Sequence, residues 1–238
     1  MNIIITGASS GIGNATVKAL AKSGNHQIFA IARSFDKLKN LQNEVTEINP
    51  KANFGFAVFD LSQSNYQALQ MKLDEFFNFK KNTIDILINN AGYLVNKSLL
   101  ESSYTDFEKS MRVNAYATLK LSQLVFPYFS KNSIAHIVNI GSMGGVQGTK
   151  KFSGLGVYSA SKSAVNSLTE CMAEEWAEFG IHTNAVNPGA VQTEMQAKAF
   201  PGYKAKVTAE NFGVYLANFA LFNGALMNGR LVSVSLMG

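Results

Sequence analysis

Seven short runs of β-branched and other apolar residues recur along this 238-residue chain, and long stretches with a helical pattern separate most of them. The runs cover residues 2–6, 27–32, 53–59, 84–88, 134–140, 181–187 and 231–235. They are apolar throughout instead of alternating apolar with polar. A strand of that kind is buried on both faces, which happens when a parallel sheet is covered by helices on each side. The segments 13–23, 63–79, 104–131 and 159–179 are long enough for the crossover helices such a sheet needs. Pro127 falls late in the third of these and is expected to kink or loosen its last turns.

Composition narrows the classes further. A chain that is 47% hydrophobic and 16% charged with 4 prolines is an ordinary globular mixture of a length that one domain accommodates. The lone Cys171 cannot form an internal disulfide, and Met1 leads almost directly into Ile3, Ile4 and Ile5 with no leader pattern, so a cytoplasmic home is expected. No charged residue lies between Glu210 and Arg230, but Asn211, Asn218, Asn223 and Asn228 interrupt that stretch well short of 18 apolar residues. It reads as a buried helix leading to the last strand, not as a membrane span. The net charge of +5 is scattered, with adjacent basic pairs only at Lys80-Lys81 and Lys150-Lys151, which does not make a nucleic-acid surface. His26, His136 and His182 stand apart, so no metal site is expected. Cys171 and the Phe76, Phe77, Phe79 cluster read as packing.

Directly after the first run comes Thr6-Gly7-Ala8-Ser9-Ser10-Gly11-Ile12-Gly13, opening a helix that continues Asn14-Ala15-Thr16-Val17. Glycine permits a tight turn and close approach of the backbone, and the helix N-terminus presents unpaired N–H groups to a pyrophosphate. At the start of a βαβ unit this arrangement points to dinucleotide binding. Roughly twenty residues on, NAD-binding folds place a carboxylate on the ribose 2′-hydroxyl. Here the second run ends Ile31-Ala32-Arg33-Ser34, and an arginine attracts a 2′-phosphate where an acid repels it, so NADP(H) is favoured over NAD(H).

A Tyr-x-x-x-Lys pair on a helix puts phenol and ammonium on one face. Three such pairs occur: Tyr93 with Lys97, Tyr116 with Lys120, and Tyr158 with Lys162. Only the last opens an expected crossover helix and follows a polar Gly141-Ser142 turn at the C-terminal end of a strand, the edge where open α/β sheets bind ligands.

With these motifs in this order, the chain resembles the short-chain dehydrogenase/reductase family over essentially its whole length. The resemblance rests on the glycine turn, Asp60 after the third strand, and Asn89-Asn90-Ala91-Gly92 after the fourth. It continues through Asn114, Ser142, Tyr158, Lys162 and the segment from Pro188-Gly189 to Thr193. It implies one Rossmann-type, doubly wound domain over residues 1–238, with a mostly parallel seven-stranded sheet that carries both cofactor and catalytic groups. By resemblance, Tyr158 gives a proton to a ketone or aldehyde oxygen as hydride arrives from the nicotinamide, or takes one from an alcohol. Lys162 favours the phenolate and holds the nicotinamide ribose, Ser142 orients the carbonyl, and Asn114 positions a relay water. The cofactor contacts it implies are Gly7, Ser9, Ser10, Gly11, Ile12 and Gly13 at the pyrophosphate, and Arg33 and Ser34 at the 2′-position. Asp60, Leu61, Asn90, Ala91 and Gly92 line the adenosine end, and Pro188, Gly189, Val191 and Thr193 approach the nicotinamide with Tyr158 and Lys162.

Substrate choice in the family comes largely from 193–208, read here as a solvated mobile loop carrying Lys198, Lys204 and Lys206, and from the loop between Ser142 and Tyr158 with Lys150, Lys151 and Phe152. A small-molecule carbonyl reductase is the leading expectation. Reduction of 3-oxoacyl thioesters on an acyl carrier protein is the alternative, and a cofactor-binding regulator without turnover is a remote one. The ending Ser233-Val234-Ser235-Leu236-Met237-Gly238 lacks the Asp-Gly-Gly common in relatives, which bears on the type of oligomer. A homodimer or homotetramer is the default.

Overall fold

The computed structural model describes residues 1–131 and 133–235. In chain order its strands are β1 (Asn2–Thr6), β2 (Gln27–Ala32), β3 (Asn53–Val58), β4 (Ile86–Asn89), β5 (Ala135–Ile140), β6 (Ile181–Pro188), β7 (Val191–Gln192), β8 (Val207–Thr208) and β9 (Leu231–Val234). The helices are α1 (Gly11–Ser23), α2 (Phe35–Ile48), α3 (Gln67–Phe77), α4 (Tyr104–Ser110), α5 (Ala117–Val125), α6 (Gly156–Glu175), α7 (Glu194–Ala199) and α8 (Ala209–Phe222). Seven strands pair in parallel in the order β3-β2-β1-β4-β5-β6-β9, while β7 and β8 form a separate small ladder.

Why the strands read as apolar throughout is visible in β1. Side chains alternate across a strand, so Ile3 and Ile5 enter the layer that holds Leu20, Leu38 and Phe212, while Ile4 enters the opposite one with Phe29, Leu73 and Leu121. All three isoleucines are fully buried, which at about 2 kcal/mol each accounts for their placement. Strand order reverses between β1 and β4, the switch point at which open α/β sheets bind ligands beyond the C-terminal ends of the strands. α8 lies close against α1: a Cβ on Gly213 would come within 2.6 Å of Ala15.

Several expectations are corrected in detail. The fourth strand begins at Ile86, and Ile84 makes only an isolated bridge to Phe129. The long helix over 104–131 is divided into α4, a π turn over Met111–Tyr116, α5 and a 3-10 turn over Phe126–Tyr128. Pro127 lacks the N–H a further α turn requires. The segment 193–208 is not a simple loop, because Thr193 caps α7 and the strands β7 and β8 pair on either side of it. Cys171 is exposed on α6, so it does not pack as expected. Phe77 is buried, with Phe76 and Phe79 packed beside it. Among the described residues no helix is long and apolar enough to cross a membrane. The ending Leu236-Met237-Gly238 lies outside the described residues.

Candidate active site

The glycine turn is shaped by contacts that only glycine tolerates. Gly7 and Gly11 have φ of 67° and 55°, in the left-handed region. A Cβ on Gly7 would lie 2.8 Å from Ala91 Cα, and one on Gly13 would overlap the Gly7 carbonyl. The turn is tied to the end of β4 because Thr6 Oγ1 accepts from the N–H groups of Asn90 (3.0 Å) and Ala91 (2.9 Å), while Asn90 Nδ2 donates to Thr6 O at 2.9 Å. Ser10 precedes α1 without a side-chain cap, so the first N–H groups of the helix are not satisfied from within it. Ser9 and Ile12 lie partly exposed along the same turn.

At the end of β2, Arg33 is exposed and Ser34 caps α2 by accepting from Lys37 N at 3.4 Å. Burial opposes the charged form of Asp60, but hydrogen bonds from Ser62 and the charges of Arg33 and Lys109 outweigh it, holding the carboxyl below its usual range. Leu61 is buried beside it, and its carbonyl accepts from Tyr66 Oη at 2.7 Å. Lys37 reaches across to Glu194 at the start of α7, with Nζ 3.0 Å from both carboxylate oxygens. Thr193 Oγ1 accepts from Gln196 N at 3.1 Å, and its methyl would be 3.1 Å from a Cβ on Gly11. Pro188 ends β6, Gly189 donates from its N–H to Val234 O at 2.9 Å, and Val191 is buried. The glycine turn and the segment expected at the nicotinamide therefore meet where Thr193 lies against Gly11.

The expected catalytic residues converge from three elements. Tyr158 and Lys162 lie one turn apart on α6, with Lys162 Nζ 5.9 Å from the centre of the Tyr158 ring. Lys162 is buried and donates to Ile140 O at 2.6 Å. Asn114 sits in the π turn, a distortion that often marks functional sites. Its Oδ1 accepts from Tyr93 N at 2.7 Å, and its Nδ2 donates to Tyr93 O at 2.9 Å and to Ser161 Oγ at 2.8 Å. A Cβ on Gly92 would stand 3.5 Å from Asn114 Oδ1 and 3.6 Å from Lys162 Nζ, so Gly92 borders the space between them. Ser142 caps a 3-10 turn over Met143–Gly145, its Oγ accepting from Gly144 N at 3.2 Å.

Burial sets the protonation of this pair. It pushes the Tyr158 phenol up to about 12 despite a hydrogen bond with Ser142, and pulls the Lys162 ammonium down to about 8. The family resemblance implies an ammonium that favours the phenolate. In this structure desolvation dominates, and the ammonium is directed at the Ile140 carbonyl. Of the other two Tyr-x-x-x-Lys pairs, Tyr93 and Lys97 lie outside any helix, with Lys97 bound to Asp106 at 2.8 Å, and Tyr116 is exposed at the end of the π turn. Lys151 donates to Gly144 O at 2.7 Å and Val146 O at 2.6 Å. It pins its own loop, whereas Lys198, Lys204 and Lys206 are exposed. Sequence reasoning missed Ser161, the Lys37–Glu194 bridge, Asn166 and Asn187. Of these, only Asn166 had a readable signal, standing four residues beyond Lys162 as Lys162 stands beyond Tyr158.

Comparison with known proteins bears on the same residues. A family model described as short chain dehydrogenase matches residues 1–204. An uncharacterized oxidoreductase of Staphylococcus epidermidis is 29% identical over 208 residues, spanning 87% of this chain and 85% of its own. A short-chain dehydrogenase/reductase from Serratia marcescens superposes with a TM-score of 0.84 at 27% identity, covering 98% of this chain and 95% of that one. An L-sorbose reductase from Gluconobacter frateurii, complexed with NADPH and L-sorbose, gives 0.85 at 21% identity over 98% of this chain and 94% of its own, a likeness of fold alone.

Proposed function

The chain belongs to the short-chain dehydrogenase family, and from that premise we propose that it interconverts a ketone or aldehyde and the corresponding alcohol using NADP(H), with Tyr158 as the acid and base. The observation that carries this reading is the meeting of Lys162 and Asn114 at Gly92, with Tyr158 one helical turn from Lys162, beside a glycine turn too tight for any side chain.

The residues present fit a dinucleotide. Gly7 and Gly13 let the turn pack directly on itself and on the Asn90-Ala91 backbone, which leads straight into α1, whose first N–H groups suit a pyrophosphate. Exposed Arg33 offers a planar cation to a 2′-phosphate. When bound, the cofactor supplies or accepts the hydride. Everything else falls to the chain. Near pH 7 the phenol of Tyr158 carries its proton, as a donor to a carbonyl oxygen must. Ser142 Oγ, fixed by its own turn, aims a dipole at the oxygen on which negative charge develops. The Lys162 ammonium adds positive charge beside the phenol and stabilises it as the proton leaves. Asn114 holds Tyr93 and Ser161 in place behind Lys162, bordering the space through which a proton is replaced from solvent.

The test is to follow NADPH and NADH oxidation separately over a panel of ketones, aldehydes, quinones and an acetoacetyl thioester. NADPH-dependent turnover of a free carbonyl compound supports the reading. Turnover confined to the thioester points to carrier-bound acyl chains, and NADPH binding without any turnover points to a regulator.

A further inference from the structure

We propose that Asn187 is a positioning residue that holds the Ser142 turn against the face of α6 carrying Tyr158 and Lys162. This rests on the reading of Ser142 and Tyr158 as partners in the chemistry.

The chain leaves the sheet at the end of β5 and has to turn at once for Ser142 to meet α6. Gly141 still donates to Val186 O at 2.9 Å, as a strand residue would. A side chain there is excluded, since its Cβ would overlap the Asn187 amide carbonyl and come within 2.9 Å of Asn166 Oδ1. One residue later the Ser142 N–H has no ladder acceptor, and a buried N–H requires a partner. Asn187, fully buried near the end of β6, supplies it: Ser142 N donates to Asn187 Oδ1 at 2.9 Å. The amide side chain thus continues the sheet for one residue after the backbone has departed.

The other side of the turn is fixed on α6. A Cβ on Gly145 would lie 2.6 Å from the Lys162 backbone, so the turn rests directly on the helix. Gly145 O accepts from Ser163 Oγ at 2.8 Å and from Asn166 Nδ2 at 3.3 Å. Asn166 is one turn beyond Lys162 on the face that begins with Tyr158. Two buried amides, one from β6 and one from α6, therefore grip the turn whose first residue is Ser142.

This arrangement leaves Asn187 Nδ2 and Asn166 Oδ1 without a hydrogen-bond partner, both of them buried. Orphaned groups of that kind carry a penalty, and an apolar residue in β6 would avoid it. What an apolar residue would lose is the acceptor for Ser142 N. The direction of the Ser142 hydroxyl follows from its backbone, and small misplacements of orienting groups are costly to catalysis.

The test needs no substrate. In protein labelled with 13C at tyrosine Cζ, the Tyr158 resonance is the one missing from Tyr158→Phe. Ser142→Ala should shift it by removing the hydroxyl that favours the ionised phenol. Asn187→Ala should shift it in the same direction, and the double variant should shift it no further than Ser142→Ala alone. The other tyrosine resonances should stay in place. Asn187→Ser, which also withdraws the amide carbonyl but opens a smaller void, gives the same comparison if the alanine variant does not fold. Asn187→Asp, which retains an oxygen at that position, should restore the resonance towards its native place. An unmoved Tyr158 resonance in a folded Asn187→Ala or Asn187→Ser protein overturns the proposal. So does one unmoved by Ser142→Ala, or a double-variant shift equal to the sum of the singles. Because no turnover is read, this outcome is separate from failure of the oxidoreductase reading, which NADPH binding without turnover of any carbonyl compound would bring about.

Discussion

Lys162 stands one helical turn from Tyr158, yet its ammonium donates to the Ile140 carbonyl at 2.6 Å and lies 5.9 Å from the centre of the phenol ring. Lys162 is buried and Tyr158 partly buried, which disfavours charge on either. Tyrosine is thereby kept protonated and lysine brought close to losing its proton, the phenol to about 12 and the ammonium to about 8. A site in that state can give a proton near pH 7 while it still holds a cation to stabilise the phenolate left behind.

A pH dependence follows. Lys162 is charged below about 8 and neutral above it, and kcat/KM reports the free enzyme. For carbonyl reduction, kcat/KM should be flat up to about pH 8 and fall above it. In Lys162→Arg the guanidinium keeps its charge throughout, so whatever rate remains should lack the alkaline fall. Parallel profiles in the two proteins would rule out Lys162 as the titrating group.

Arg33 decides between the cofactors if it meets the 2′-phosphate. Losing one charge-assisted contact costs roughly 1.5–3 kcal/mol, so Arg33→Ala should weaken NADPH binding on the order of tenfold or more and leave NADH binding nearly unchanged. Equal effects on both, measured by fluorescence titration, would place the arginine outside the cofactor contacts.

Two glycines should separate fold from function. Gly13→Ala drives a Cβ into the Gly7 carbonyl and to 2.5 Å from Asn90 Nδ2. It should destabilise the protein by about 1–3 kcal/mol and abolish dinucleotide binding. Gly92→Ala meets only ordinary contacts at 3.5 and 3.6 Å. It should melt close to the native temperature and still lose turnover, because the methyl enters the space between Asn114 and Lys162. Native activity in Gly92→Ala would show that this space is not used.

How much of this was legible beforehand depended on the range over which each signal acts. The strands showed because Ile3, Ile4 and Ile5 are apolar on both faces, and the glycine turn showed because its constraint is local. Tyr158 was separable from Tyr93 and Tyr116 because a strand and a helix bracket it. What stayed hidden was set by partners far along the chain. Asn187 reads as one more polar residue before Pro188 until Ser142, 45 residues earlier, is seen to donate to it. The folding of 193–208 into α7 and the β7–β8 ladder depends on Thr193 as a cap and on a strand pair of two residues each. Neither is long enough to impose a period on the sequence.

His136, by contrast, governs acid stability away from the site. It is buried, its Nδ1–H donating to Ala220 O at 3.0 Å and its Nε2 accepting from Asn184 Nδ2 at 3.1 Å. Burial pushes it down from 6.5 to about 4. Between those values the unfolded chain binds the proton and the folded one does not, so the stabilisation is complete above pH 6.5 and is lost as pH falls through about 4. At roughly 1.4 kcal/mol per pH unit, the loss amounts to about 3 kcal/mol. Urea unfolding at pH 6.5 and pH 4 should show it, and His136→Gln, less stable throughout, should show a smaller difference between the two. An unchanged difference would assign the acid sensitivity to the carboxylates.

The most direct measurement of the central claim is the turnover of Tyr158→Phe with NADPH and the best carbonyl substrate, set beside its affinity for NADPH. Removing only the phenolic hydroxyl should lower kcat by on the order of a hundredfold or more and leave the NADPH Kd within about twofold of native, because the glycine turn and Arg33 are untouched. Turnover at the native rate in Tyr158→Phe would contradict the claim that this tyrosine carries the proton.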